Sequence, residues 1–293
     1  MAEGRLPQGS RDIQCVAVIG AGTMGHGIAQ VAAMAGYQTR LTDTSPDALR
    51  AAMSRIASNL AGALNRSKIT QEDATAATAR VAAAADLATA VHDADLVIEA
   101  VAESLVVKEK LFQQLDAVVS DEAVLATNTS SLSVTRIANA TRRPARVIGM
   151  HFFNPVHIMK LVEVIAHAQS DPAVIAAARE AAGRMGKTTI LVRDAPGFAS
   201  SRLGVVLGLE AMRMVEQGVA SAADIDTAME LGYGHPMGPL RLTDLVGLDV
   251  RLDIAEYLLR ELQDPKFEPP RILRDKVQRG ELGKKTHKGF YEW

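Results

Sequence analysis

Two residues stand out as able to do chemistry: His151, inside the run RVIGMHFFNP, and Glu163, twelve positions further on. Imidazole is the one side chain that ordinarily changes charge near neutral pH. A carboxylate on its second nitrogen fixes the tautomer and stabilises the imidazolium as it forms. Such a pair suits removal of the proton from a secondary alcohol, provided another group takes the hydride.

Upstream, Gly20-Ala21-Gly22-Thr23-Met24-Gly25 follows the apolar run CVAVI and precedes a helical stretch expected from Gly27 to about Ala35. In this context Gly20 permits a tight turn, Gly22 lets backbone approach a pyrophosphate, and Gly25 lets helix and strand pack closely. Thr23 and Met24 complete the loop, and the helix N-terminus offers unpaired N–H groups to phosphates. Asp43 closes the next β-type run, about 20 residues beyond the glycines, where an acid meets the ribose. A carboxylate there repels a 2′-phosphate, and Thr44 and Ser45 follow it rather than an arginine, so the expected cofactor is NAD, not NADP. The competing reading is a plain strand-to-helix turn with Asp43 capping a helix near Pro46.

β-type runs alternate with helical stretches from Cys15 to about Asp194: CVAVIG, TRLTD, ADLVIEA, AVLATN, RVIGMHF, LVEVIAH and TTILVRD. This alternation predicts a Rossmann-like, doubly wound, mostly parallel α/β sheet over 13–194. Between Ser45 and about Ala85 an alanine-rich, strandless stretch is expected to form a helical hairpin over about 46–80, restarting after Thr70. After Asp194-Ala195-Pro196-Gly197 the β-type runs stop. Helical spacing at 198–217, 221–231 and 247–262 predicts an all-α C-terminal domain over 195–293. Residues 1–12 read as a loose leader. In a parallel sheet, ligands gather outside the carboxyl ends of the strands. That is where Gly20, Asp43, Glu103, Asn128 through Ser131, and His151 fall.

The composition is that of a globular chain, with 48% hydrophobic and 23% charged residues and a formal charge of -2. No basic face for nucleic acid is implied. Cys15 is the only cysteine, so neither a disulfide framework nor a thiolate metal site is expected. The absence of a signal-like start or an apolar span predicts a cytoplasmic protein with no membrane partner.

Several longer runs resemble the NAD-dependent 3-hydroxyacyl-CoA dehydrogenases, the bacterial 3-hydroxybutyryl-CoA enzymes most of all. They are GAGTMGHGIAQ at 20–30, IEAVAESLVVKEKLF at 98–112, NTSSLSV at 128–134, HFFNPVHIMKLVEVI at 151–165, DAPGF at 194–198, DIDTAM at 224–229, HPMGPL at 235–240 and GKKTHKGFY at 283–291. The resemblance implies oxidation of an (S)-3-hydroxyacyl-CoA, short-chain by preference, to the 3-oxoacyl-CoA. It implies His151 as general base held by Glu163, and Ser130 as the ligand of the reacting oxygen. Glu103, Lys108, Asn128 and Asn154 would be ligands on the nicotinamide and ribose side, with Lys108 shared with the thioester. The same resemblance implies Arg66 and Lys68 of the hairpin as contacts for coenzyme A, and a homodimer built on the helical domain.

The chain departs from the family at one point. The family carries an asparagine after the linker, in GF-x-x-N-R, where this chain has Ser201; acyl preference is in doubt there more than reaction type. Plainer roles compete throughout. His151 suits a core histidine, Glu163 a partner for Lys160, Glu103 and Lys108 a solvated helix face with Glu109 and Lys110, and Ser130 a helix cap. Rival functions are a β-hydroxyacid dehydrogenase acting on free acids, and a non-catalytic NAD-binding relative. A sugar-nucleotide dehydrogenase is disfavoured because Cys15 lies in the first strand.

Overall fold

A computed structural model of the protein describes residues 13–293; the leader expected over 1–12 lies outside the described residues. The chain divides into two compact units, one ending at Asp194 and one running Ala195–Trp293.

The first unit runs β1 (Cys15–Ile19), α1 (Gly25–Met34), β2 (Gln38–Thr42), α2 (Pro46–Asn65), α3 (Gln71–Arg80), β3 (Val81–Ala83), α4 (Leu87–Val91), β4 (Leu96–Glu99), α5 (Leu105–Val118), β5 (Val124–Thr127), α6 (Val134–Asn139), β6 (Val147–Phe152), β7 (Leu161–Ala166), α7 (Pro172–Arg184) and β8 (Thr188–Arg193). The strands form one sheet in the order β3-β2-β1-β4-β5-β6-β7-β8. All pairs are parallel except β6 with β7. The winding direction reverses between β1 and β4, which is where such sheets open a crevice for a dinucleotide. Strands β4, β5 and β6 are buried along their whole length, as continuous apolar runs covered on both faces should be.

Local chemistry explains the hairpin. Ser45 accepts from Ala48 N with Pro46 in the first turn of α2, and Thr70 and Asp73 form a reciprocal capping box on α3. One expectation is corrected here. The stretch between Ser45 and Ala85 is not strandless, because Val81–Ala83 forms β3 and pairs in parallel with Thr39–Leu41 of β2. Val81-Ala82-Ala83 is too short and too alanine-rich to announce a strand, and its position is fixed by backbone pairing. Helix α1 also begins at Gly25, two residues before the expected Gly27.

The second unit contains α8 (Ser200–Glu216), α9 (Ala222–Tyr233), α10 (Pro239–Val246), α11 (Leu248–Leu262) and α12 (Arg271–Gln278). Helices α10 and α12 have eight residues each, too few to show a period in the sequence. Two buried carboxylates hold the C-terminal tail. Asp244 accepts from Phe290 N, Tyr291 N and Trp293 Nε1 at 2.9–3.0 Å, and Asp226 accepts from Leu240 N and Arg241 N at 2.8 Å and from Tyr291 Oη at 2.7 Å. The motifs DIDTAM, HPMGPL and KGFY are thus tied by hydrogen bonds within this unit. No helix among the described residues is long and apolar enough to cross a membrane.

Candidate active site

His151 and Glu163 are register partners across the antiparallel β6–β7 pair. Twelve residues of sequence become one cross-strand step because the chain turns back between Phe153 and Lys160. Nδ1 of His151 lies 2.7 Å from Oε2 of Glu163, whose side chain is wholly buried. An ionised carboxylate only accepts, so opposite an ionised Glu163 the hydrogen belongs on Nδ1, and a neutral imidazole then has its lone pair on Nε2. The ring is 7% exposed and packs against Phe153 with centroids 4.4 Å apart. Glu163 is therefore no surface partner of Lys160.

Asn128, directly after β5, accepts from Phe152 N through Oδ1 at 2.8 Å and donates its own N–H to Glu99 O. It locks the end of β5 to the end of β6, one residue beyond His151. Asn154 is exposed and precedes Pro155.

Ser130 sits in the loop after β5 with Glu103 against it. Oε1 of Glu103 accepts from Thr129 Oγ1 at 2.6 Å, Ser130 N at 2.8 Å and Ser130 Oγ at 3.1 Å. Ser130 does not cap α6; that role falls to Ser133, which accepts from Arg136 N. Lys108 is 1% exposed rather than part of a solvated face. Its ammonium lies 2.6 Å from Glu99 Oε1 and 3.4 Å from Glu103 Oε2. Glu99 is fully buried and also accepts from Val101 N and Thr127 Oγ1, both at 2.7 Å. Sequence reasoning missed Glu99, although a carboxylate inside the apolar run ADLVIEA was the signal.

The three glycines of the loop differ in what surrounds them. Gly20 has φ +101°, and a Cβ there would lie 2.6 Å from Ala100 O; one on Gly25 would lie 1.6 Å from Gly20 O. At Gly22 a Cβ would meet nothing within 4 Å, so that glycine faces open space at the start of α1. Thr23 is exposed and Met24 packs against the core. Asp43, beside this loop, accepts from Ala21 N at 2.7 Å and Ser45 N at 2.8 Å. It orders the loop rather than capping α2, and its two oxygens retain further acceptor capacity.

Lys187, between α7 and β8, was also missed. Its buried ammonium donates to Val156 O and, at 2.8 Å, to Met159 O, gripping the turn that follows Asn154. Burial, with repulsion from Lys160, pulls it down to about 8. Val156 in turn rests on Gly27 of α1, where a Cβ would lie 2.8 Å from the valine Cβ. Arg66 and Lys68 are exposed at the tip of the hairpin, and Ser201 lies in the first turn of α8 in the second unit. No cluster of metal-ligating side chains occurs among the described residues.

Residues 15–195 match the family model for the NAD binding domain of 3-hydroxyacyl-CoA dehydrogenase, and residues 197–293 match that for its C-terminal domain. A 3-hydroxybutyryl-CoA dehydrogenase of Bradyrhizobium diazoefficiens is 44% identical over 281 residues, covering 96% of each chain. The crystal structure of FadB2 from Mycobacterium tuberculosis is similar with a TM-score of 0.93 at 42% identity, covering 97% of this chain and 100% of that one. That of (S)-3-hydroxybutyryl-CoA dehydrogenase from Ralstonia eutropha has a TM-score of 0.93 at 39% identity, covering 96% and 99%. With both domain models matched in order and relatives aligned over nearly their whole length, this chain belongs to the 3-hydroxyacyl-CoA dehydrogenase family.

Proposed function

We propose that the protein oxidises (S)-3-hydroxyacyl-CoA to 3-oxoacyl-CoA, with 3-hydroxybutyryl-CoA as the preferred class of substrate. The observation that carries this reading is the bond from His151 Nδ1 to Glu163 Oε2, set in a sheet whose glycine loop suits NAD. Relatives named 3-hydroxybutyryl-CoA dehydrogenase support it.

In this reading Nε2 of His151 takes the proton of the 3-hydroxyl as the C3–O bond gains carbonyl character. Glu163 stabilises the imidazolium that results. Ser130 is the ligand of the reacting oxygen: Glu103 holds it through the backbone N–H, and its one hydroxyl hydrogen, given to Glu103 in the absence of substrate, turns to that oxygen when substrate is bound. When bound, NAD would be held by Gly20, Gly22, Thr23, Met24, Gly25 and Asp43 and would supply the acceptor for the hydride lost from C3. Glu103, Lys108, Asn128 and Asn154 serve its nicotinamide and ribose side. Lys108 does so from a buried position, which favours orientation through Glu103 over broad contact with a thioester.

The finer assignments follow the same reading. Arg66 and Lys68 are the candidate coenzyme A contacts. Ser201 contributes a hydroxyl to substrate binding, shorter than the family's amide and suited to bridging through water. A homodimer is supported by large apolar side chains exposed on the helical unit, such as Leu203, Leu231 and Tyr233. The cytoplasm is the expected compartment for a chain with one cysteine, placed in β1. The test is loss of NADH absorbance with acetoacetyl-CoA, repeated across acyl lengths and with NADPH. Activity on free 3-hydroxy acids alone, or none on any thioester, would overturn the reading.

A further inference from the structure

Glu99 is a charged group with no place in the reaction just described. It is the last residue of β4 and 0% exposed, yet four hydrogen-bond donors converge on its carboxylate and main chain. Oε1 accepts from Lys108 Nζ of α5 and from Val101 N, while Oε2 accepts from Thr127 Oγ1 at the end of β5. Its carbonyl accepts from Asn128 N, the residue that clamps the strand of His151. The bond to Val101 N shapes the turn whose Ala100 carbonyl lies against Gly20.

A buried ammonium persists where a carboxylate balances it, and Lys108 has Glu99 in its interior and Glu103 at its outer edge. Removing the inner charge would leave Lys108 with Glu103 as its one carboxylate partner, drawing Glu103 away from Ser130 N and Oγ. We propose that Glu99 is a positioning residue: through Lys108 and Glu103 it fixes where the Ser130 hydroxyl points. This inference rests on the proposed contact of Ser130 with the reacting oxygen.

The experiment is a double-mutant cycle on kcat/KM for acetoacetyl-CoA at saturating NADH, combining Glu99→Gln with Ser130→Ala. A misplaced reacting group typically costs on the order of a hundredfold, so Glu99→Gln should lose roughly ten- to a hundredfold. The double variant should be within about threefold of Ser130→Ala alone, because both changes remove one function. A purely structural role for Glu99 gives losses that multiply, and that result overturns the proposal. Glu99→Asp, which keeps the charge, should recover part of the loss. Should Glu99→Gln fail to fold, the uncharged pair Glu99→Leu with Lys108→Met replaces it, and the same non-additivity with Ser130→Ala is required. An inactive parent would instead sink the reading of function, while an active parent with multiplying losses sinks only the role of Glu99.

Discussion

His151 and Glu163 face each other across the antiparallel pair of an otherwise parallel sheet, joined by a 2.7 Å bond from ring nitrogen to carboxylate. A base mounted on one strand and its orienting acid on the next cannot drift apart without breaking the sheet. The pair is thus ready before any ligand arrives. Glu163→Gln keeps an acceptor in place but removes the charge that stabilises the imidazolium. Turnover should fall by about two orders of magnitude or more, with NADH affinity unchanged in a fluorescence titration. Turnover within a few-fold of the parent would show that the charge is not used.

The glycines of the loop should respond in opposite ways. Gly22→Ala puts a methyl into open space, so melting temperature should hold while NADH binding weakens. Gly25→Ala forces a carbon to within 1.6 Å of a backbone oxygen, and the fold itself should suffer, visible as a lower Tm before any ligand is added. Equal effects of the two on Tm would contradict the assignment of Gly22 to the cofactor's side.

Asp43 should govern cofactor choice. Asp43→Asn keeps one acceptor for the Ala21 or Ser45 amide but removes the negative charge. The ratio of kcat/KM for NADH over NADPH should drop at least about tenfold, the size of one lost charge-assisted hydrogen bond. An unchanged ratio would place discrimination elsewhere.

Lys187 gives a pH signature. In the unfolded chain this amine keeps its proton up to the ordinary lysine range, whereas in the folded protein it releases it near 8. Folding therefore becomes easier as pH rises between those values, by no more than about 3 kcal/mol. Lys187→Met lacks this gain. The parent's Tm measured against the variant's should improve from pH 7 to pH 10, and a constant gap would show that the ammonium is not desolvated.

Much of this was legible in the residues. Seven β-type runs became strands; those of β4, β5 and β6 announce themselves as segments buried on both faces, whereas β8 at the sheet edge is largely exposed and is legible from its β-branched residues alone. Glycine, acid and histidine fell at strand ends because that is where an open sheet gathers ligands. The three residues of β3 were invisible, since a short edge segment is placed by its neighbour's backbone rather than by its own side chains. The partners of Lys108 were equally hidden. A lysine beside Glu109 and Lys110 reads as solvated, and only the fold brings Glu99, nine residues away, beneath it. Lys187 depends on carbonyls of a turn 28 and 31 residues distant, which no spacing rule can anticipate.

Whether His151 takes the proton from the substrate hydroxyl is read from single-turnover kinetics of His151→Ala. The chemical step should slow by about two to four orders of magnitude, the range for a missing general base, while NADH binds as in the parent. A chemical step within a few-fold of the parent would show that another group takes the proton.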